Sequence, residues 1–194
     1  MAHDAVLGTT NKRETQILVG SGHVVRTFRL AAPAVVTLMA GTLVALSVGK
    51  ALYPYGTSQA VNVGLGDGAA KTFTGNLGMF VRAGSVTVSD GVETFTDDGF
   101  GELTGDAGGS GKVNYLNGDI TVTCNAAPAN EAAMVAHCTH WCRGCLVRDA
   151  ETGAVAAEAV TAGGVNTAEL VMPSGDPATA DALAEMEFIG PWPA

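Results

Sequence analysis

The chain has 194 residues, enough for one domain or two small ones, and its 47% hydrophobic share against 15% charged residues excludes general disorder. With 26 glycines and only 6% aromatics, it favours short strands and many turns over long surface helices. A net charge of −9 excludes a nucleic-acid binder, but the charge is uneven: residues 1–60 hold five Lys/Arg against two Asp/Glu, while 61–139 and 140–194 each come to −6.

Residues 1–14 show no periodicity and are expected to form an arm. Gln16–Val19 is a short strand candidate ended by Gly20-Ser21-Gly22, and His23–Arg29 is a second. Leu30–Gly49 runs twenty residues without a charge, the length of a membrane span or of a late signal sequence. Pro33, Gly41 and the hydroxyls of Thr37, Thr42 and Ser47 argue against both. Val35, Val36, Thr37, Leu43 and Val44 are strand formers around a turn or bulge at Ala40-Gly41-Thr42, so a strand is expected and no membrane span. Lys50–Tyr55 continues as an extended, Pro-containing segment, and the Gly-rich Val61–Ala70 leads into the next module.

That module is Gly84–Pro128, which spells two β-hairpins in succession. Asp90-Gly91 and Asn117-Gly118 are dipeptides suited to both centres of a type I′ turn. A two-residue loop at Asn117-Gly118 pairs Leu116 with Asp119, Tyr115 with Ile120 and Val113 with Val122. The same loop at Asp90-Gly91 pairs Val86 with Phe95. Val113, Tyr115, Ile120, Val122 and Cys124 then share an apolar face, as antiparallel strands over a core require.

Beyond His140, Cys145–Val147 and Glu169–Met172 read as strands flanking a mobile Ala/Gly/Glu-rich stretch. A terminal helix is predicted over Ala178–Phe188, with Asp176 as N-cap and Pro177 in the first helical position. Leu183 and Met186 fall on one side of it, Asp181 and Glu185 on the other.

The run from Thr72 to about Thr139, with TFTGNLG from Thr72 and GSVTVSDGVETFTDDGFGELTGDAGGSGKVNYLNGDITVTCNAAP from Gly84, resembles an immunoglobulin-like β-domain found as an insertion or appendage in tailed-phage virion proteins. The flanks, LMAGTLVALSVGKALYPYG (38–56) and RGCLVRDAETGAVAAEAVTAGGVNTAEL (143–170), resemble the head decoration (capsid-cementing) proteins of tailed phages, the lambda decoration protein type. A family member would run directly from the first flank to the second; here about eighty residues intervene.

The resemblance implies a mainly β chain. An N-terminal capsid-binding arm (1–22) precedes a discontinuous β-rich decoration domain (23–60 and 140–194) with a short C-terminal helix, interrupted by an immunoglobulin-like antiparallel β-sandwich (61–139). It also implies a homotrimer on the outer surface of the virion capsid, assembled in the host cytoplasm, that grips the major capsid protein. The capsid-binding candidates are Thr15, Gln16, Ile17, Leu18 and Val19, which would add a strand to a capsid sheet edge, with the basic Lys12 and Arg13 beside them. The alternative is an adhesin or tail-associated module that binds a host surface or glycan through the outward loops of the insert, such as Asp97–Gly109.

Chemistry is weakly signalled, and neither an enzyme nor a cofactor is expected. His137, Cys138, His140, Cys142 and Cys145 include zinc-ligand types, but on one strand Cys138, His140 and Cys142 face opposite to His137 and Trp141. Strand-interior cysteines beside surface histidines are expected instead, with no metal. Cys-Arg-Gly-Cys lacks the βαβ context of a redox motif, and a reducing cytoplasm favours free thiols. Asp97, Asp98, Glu102 and Asp106 lack the alternation of an EF-hand loop and read as solvated turns. Trp141 and Trp192 read as core or interface anchors.

Overall fold

The computed structural model describes residues 24–30, 37–46, 51–151, 153–162, 165 and 167–188. The arm, the strand candidate at Gln16–Val19 and all seven capsid-binding candidates lie outside the described residues. Among those described, the chain is mainly β with one short helix. The described residues divide into two compact units: one of those up to Ala45, Ala51–Tyr55 and those from Cys142 onward, the other of Leu46 and Gly56–Trp141.

The second unit is one eight-stranded sheet. Its strands are β4 (Gln59–Leu65), β5 (Thr72–Asn76), β6 (Thr87–Ser89), β7 (Thr94–Asp97), β8 (Glu102–Gly105), β9 (Ser110–Val113), β10 (Asp119–Thr123) and β11 (Ala133–Cys138). The order is β4-β11-β6-β7-β8-β9-β10-β5, antiparallel throughout. The two end strands approach each other, so the sheet curls into a nearly closed barrel. Glycine permits that approach: a Cβ on Gly75 would lie 2.8 Å from Val63, and one on Gly64 would lie 2.5 Å from the Phe73 ring. The interior is filled by Val63, Phe73, Leu77, Val88, Phe95, Leu103, Ile120, Val122 and Met134, all buried. A single curling sheet, a meander from β6 to β10 flanked by β11, β4 and β5, thus occupies the stretch read as a sandwich.

Both predicted hairpins form, but with four-residue loops. Val88 pairs with Phe95 and Ser89 with Thr94; Val113 pairs with Ile120 and Gly111 with Val122. Each register is displaced by two residues from the expectation, because only the glycine of each dipeptide takes positive φ, Gly91 at 87° and Gly118 at 79°. Side chains close the longer loops. Asp90 Oδ1 accepts from Val92 N and Glu93 N (2.9 and 2.7 Å), and Asn114 Oδ1 accepts from Leu116 N (3.0 Å). A two-residue displacement leaves every side chain on its original face, so Val113, Ile120, Val122 and Cys124 are buried as predicted.

The first unit holds a five-stranded sheet. Its strands are β1 (Val24–Arg29), β2 (Leu43–Leu46), β3 (Leu52–Pro54), β12 (Gly144–Leu146) and β13 (Ala156–Ala162), in the order β1-β13-β12-β2-β3. β13 corrects the reading of a mobile stretch: it lies between two strands and pairs with both. Glu169–Met172 is not a strand either. Thr167–Glu169 is a 3₁₀ turn, and Val171 makes isolated bridges to Thr42 and Pro177.

The helix α1 (Ala180–Phe188) starts two residues later than predicted. Thr179, not Asp176, caps it, its hydroxyl accepting from Ala182 N at 3.3 Å. Asp176 and Pro177 belong instead to a turn in which Met172 N donates to Asp176 O (2.7 Å). Ala182 is buried in a core that includes Leu43, Tyr55, Cys142, Cys145, Val160 and Leu170, with Leu183 partly buried against it. Within Leu30–Gly49 the described part is a turn at Ala40-Gly41 followed by the buried β2. No helix of the described residues is long and apolar enough to cross a membrane.

Candidate functional site

In the meander of the second unit, successive turns alternate between the two ends of the sheet. Residues 90–93 and 106–109 lie at one end; 98–101 and 114–118 lie at the other, with the loop 77–86 beside them. The adhesion stretch Asp97–Gly109 therefore spans both ends and is no single surface.

A buried carboxylate ties each end together. Glu93 is 3% exposed; its Oε1 accepts from Gly109 N at 2.6 Å and its Oε2 from Asn125 N at 2.9 Å. Gly105 and Gly109 leave the room it occupies, since a Cβ on either would collide with Oε1. At the other end Asp97 Oδ2 accepts from Gly84 N (2.8 Å), and its Oδ1 accepts from Gly99 N (3.0 Å) and from the Tyr115 hydroxyl (2.5 Å). The Tyr115 oxygen in turn accepts from Gly101 N (2.9 Å). Burial, and then the hydrogen bond to the Asp97 carboxylate, push the Tyr115 phenol up to about 12. Three loops are thus locked around two side chains.

The lock presents apolar residues to solvent. Asp98 Oδ1 accepts from Phe100 N (2.7 Å) and Glu102 N (3.2 Å), and Gly99 and Gly101 take positive φ on either side. Phe100 stands at the tip, 91% exposed. Leu116 and Met79 are also exposed, on neighbouring loops joined by the bond from Phe80 N to Leu116 O (3.1 Å). A rigid turn that displays an aromatic side chain loses little entropy when that side chain docks.

The acids read as a calcium candidate are spread through this framework. Asp97 and Asp98 hold the 98–101 turn, Glu102 pairs with Lys112 at 2.8 Å, and Asp106 Oδ1 accepts from Thr94 N at the opposite end. The His/Cys cluster is divided as well. Cys138 lies in the core of the second unit, Cys142 and Cys145 in that of the first, and His137 is exposed. All four cysteines are free and buried. Burial pushes the Cys124 and Cys138 thiols up to about 11 and those of Cys142 and Cys145 up to about 12. They are protonated at neutral pH and act as small apolar side chains.

His140 corrects the expectation of surface histidines. It is 1% exposed, and its Nε2–H donates to Leu77 O at 2.8 Å. Burial holds its pKa below the usual histidine value. Trp141 is half-buried, with its backbone N–H donating to Phe80 O (2.9 Å); Trp192 lies outside the described residues.

No family model, curated protein or solved structure matches this chain.

Glu93, Asp97 and Tyr115 are the residues that order the candidate surface, and none was singled out for that role from the sequence. One signal was available: Asp90-Gly91-Val92-Glu93 sets an acid two residues past a turn glycine, where the apolar/polar alternation predicts an inward side chain.

Proposed function

We propose that the chain is a non-enzymatic structural protein of a tailed-phage virion, a trimeric head decoration protein that binds the outer surface of the mature capsid and stabilises the major capsid protein lattice against internal DNA pressure. The observation that carries this reading is the pairing of two resemblances with an interrupted domain. The flanks that resemble decoration proteins contribute Ala51–Tyr55 and the described residues from Cys142 to Phe188 to one compact unit, and the chain between them forms most of the other. We assign the second unit as the inserted guest, a nearly closed β-sheet standing where the resemblance implies an immunoglobulin-like sandwich.

Grip would come from multivalency. Three modest contacts per trimer become strong when engaged together, and occupancy stabilises the lattice by mass action. Lys12, Arg13 and Thr15–Val19 remain the proposed capsid contact. Deleting residues 1–19 tests it: the truncated protein should stay folded and trimeric yet fail to bind heads stripped of decoration. Undiminished binding would sink the assignment. Electron microscopy of virions should show threefold protrusions carrying the guest as extra density.

A second reading, adhesion to a host surface or glycan, is favoured by one observation, the aromatic side chain of Phe100 held in solvent on a locked turn. A Phe100→Ala virion that adsorbs normally to its host would exclude that surface.

A further inference from the structure

Asn117-Gly118 has the sequence of a fast deamidation site, since a following glycine leaves its amide nitrogen unhindered. The reaction is intramolecular. Gly118 N attacks Asn117 Cγ and gives up its proton to solvent, and the Cγ–Nδ2 bond breaks to release ammonia. Water then opens the resulting succinimide to aspartate or isoaspartate.

In the fold both reacting groups are engaged. Gly118 N donates to Asn114 O at 2.7 Å, so the proton that the nucleophile must lose is engaged in a hydrogen bond. The electrophile is clamped at both ends by Asp119: Asn117 Nδ2 donates to Asp119 Oδ2 (2.7 Å), and Asn117 Oδ1 accepts from Asp119 N (3.0 Å). Asn76, on β5, fixes the same turn from outside, its Nδ2 donating to Asn117 O (2.9 Å) and Asp119 Oδ1 (2.8 Å). Gly118 itself is buried against Gly78, while the Asn117 side chain is open to water.

We infer that Asn117 is a latent modification site: the closed 114–119 turn suppresses succinimide formation, and local opening of that turn releases it. Isoaspartate at Asn117 would insert an extra backbone carbon into the turn. The bonds from Leu77 N to Gly118 O (2.8 Å) and from Phe80 N to Leu116 O, which dock the 77–86 loop, depend on that backbone. Damage here would therefore loosen the loop cluster that carries Met79, Phe100 and Leu116.

The test is peptide mapping by mass spectrometry after incubation of the full-length protein at mildly alkaline pH, reading the mass gain and isoaspartate at Asn117. A synthetic peptide spanning residues 112–123 is the reference. The folded protein should react at least about tenfold more slowly than the peptide, equivalent to about 1.4 kcal/mol of opening free energy. Asp119→Ala and Asn76→Ala should each raise the rate toward that of the peptide. Urea below the unfolding midpoint, applied to the unaltered protein, should raise it in step with exchange of the Gly118 amide hydrogen; this reading needs no variant to fold. A folded-state rate equal to the peptide's overturns the inference, and so does a rate indifferent to urea while Gly118 exchange accelerates.

Discussion

Replacing Glu93 by alanine tests whether a buried carboxylate closes one end of the eight-stranded sheet. The substitution strips the acceptors from Gly109 N and Asn125 N, bonded now at 2.6 and 2.9 Å. A hydrogen bond to a carboxylate contributes about 1.5–3 kcal/mol, so two set an upper bound of about 3–6 kcal/mol. Water entering the vacated space would satisfy part of the loss, which leaves about 2–4 kcal/mol. That is a large share of the roughly 5–15 kcal/mol that holds a domain folded, and about 4–8 °C of Tm is lost per kcal/mol in a domain of this size. Urea titration of the full chain by circular dichroism gives the stability, and hydrogen exchange at Gly109 and Asn125 gives the location. Glu93→Gln, which keeps the shape but turns an amide N–H toward one of the two donors, should lose nearly as much. A change under about 0.5 kcal/mol, with exchange at Gly109 unaltered, would refute the reasoning.

The remaining predictions concern other parts of the second unit and the thiols. Because burial depresses the His140 pKa, the unfolded chain takes up the proton first; stability is full above the unfolded value of 6.5 and falls as pH drops below it. Tm measured from pH 7.5 to 5.5 should show that fall, and His140→Gln should flatten it; an unchanged slope would remove His140 as its source. With all four thiols buried and their pKa values raised to about 11 or 12, an aromatic disulfide reagent at pH 8 should label the native protein far more slowly than the urea-unfolded one. Rapid labelling of any cysteine in the native state would contradict its placement. Gly118→Ala forces φ of 79° on an L-residue and drives its Cβ into Gly78 O. Loss of more than about 2 kcal/mol is expected by urea titration, whereas Gly91→Ala, in open space, should cost only about 1 kcal/mol of backbone strain.

How much was legible differs from element to element. The hairpins around Asp90-Gly91 and Asn117-Gly118 were readable because two-residue alternation survives any even displacement; the faces of Val88, Phe95, Ile120 and Val122 follow from it. Their registers were not, because Asp90 and Asn114 each use a side-chain oxygen to close a longer loop. The helix was readable and its start was not, since Thr179 competes with Asp176 for the cap and packing of Ala182 decides between them. β13 was invisible: AAEAVTA has little intrinsic strand preference, and partners on both sides impose its conformation.

By itself the sequence determined the local alphabet of this protein: which stretches alternate, where turns must fall, which cysteines face inward and how charge is shared along the chain. These are short-range properties, set by side-chain period, glycine conformation and burial preference. Tertiary structure alone decided that the strands of the second unit form one curling sheet, which backbone N–H groups Glu93 and Asp97 meet at its two ends, and that His140 is buried. It also placed Cys138 and Cys142, four residues apart, in the cores of different units. Each of those outcomes depends on partners distant in sequence, whose backbone N–H groups and apolar surfaces exist as a site only once the chain has folded.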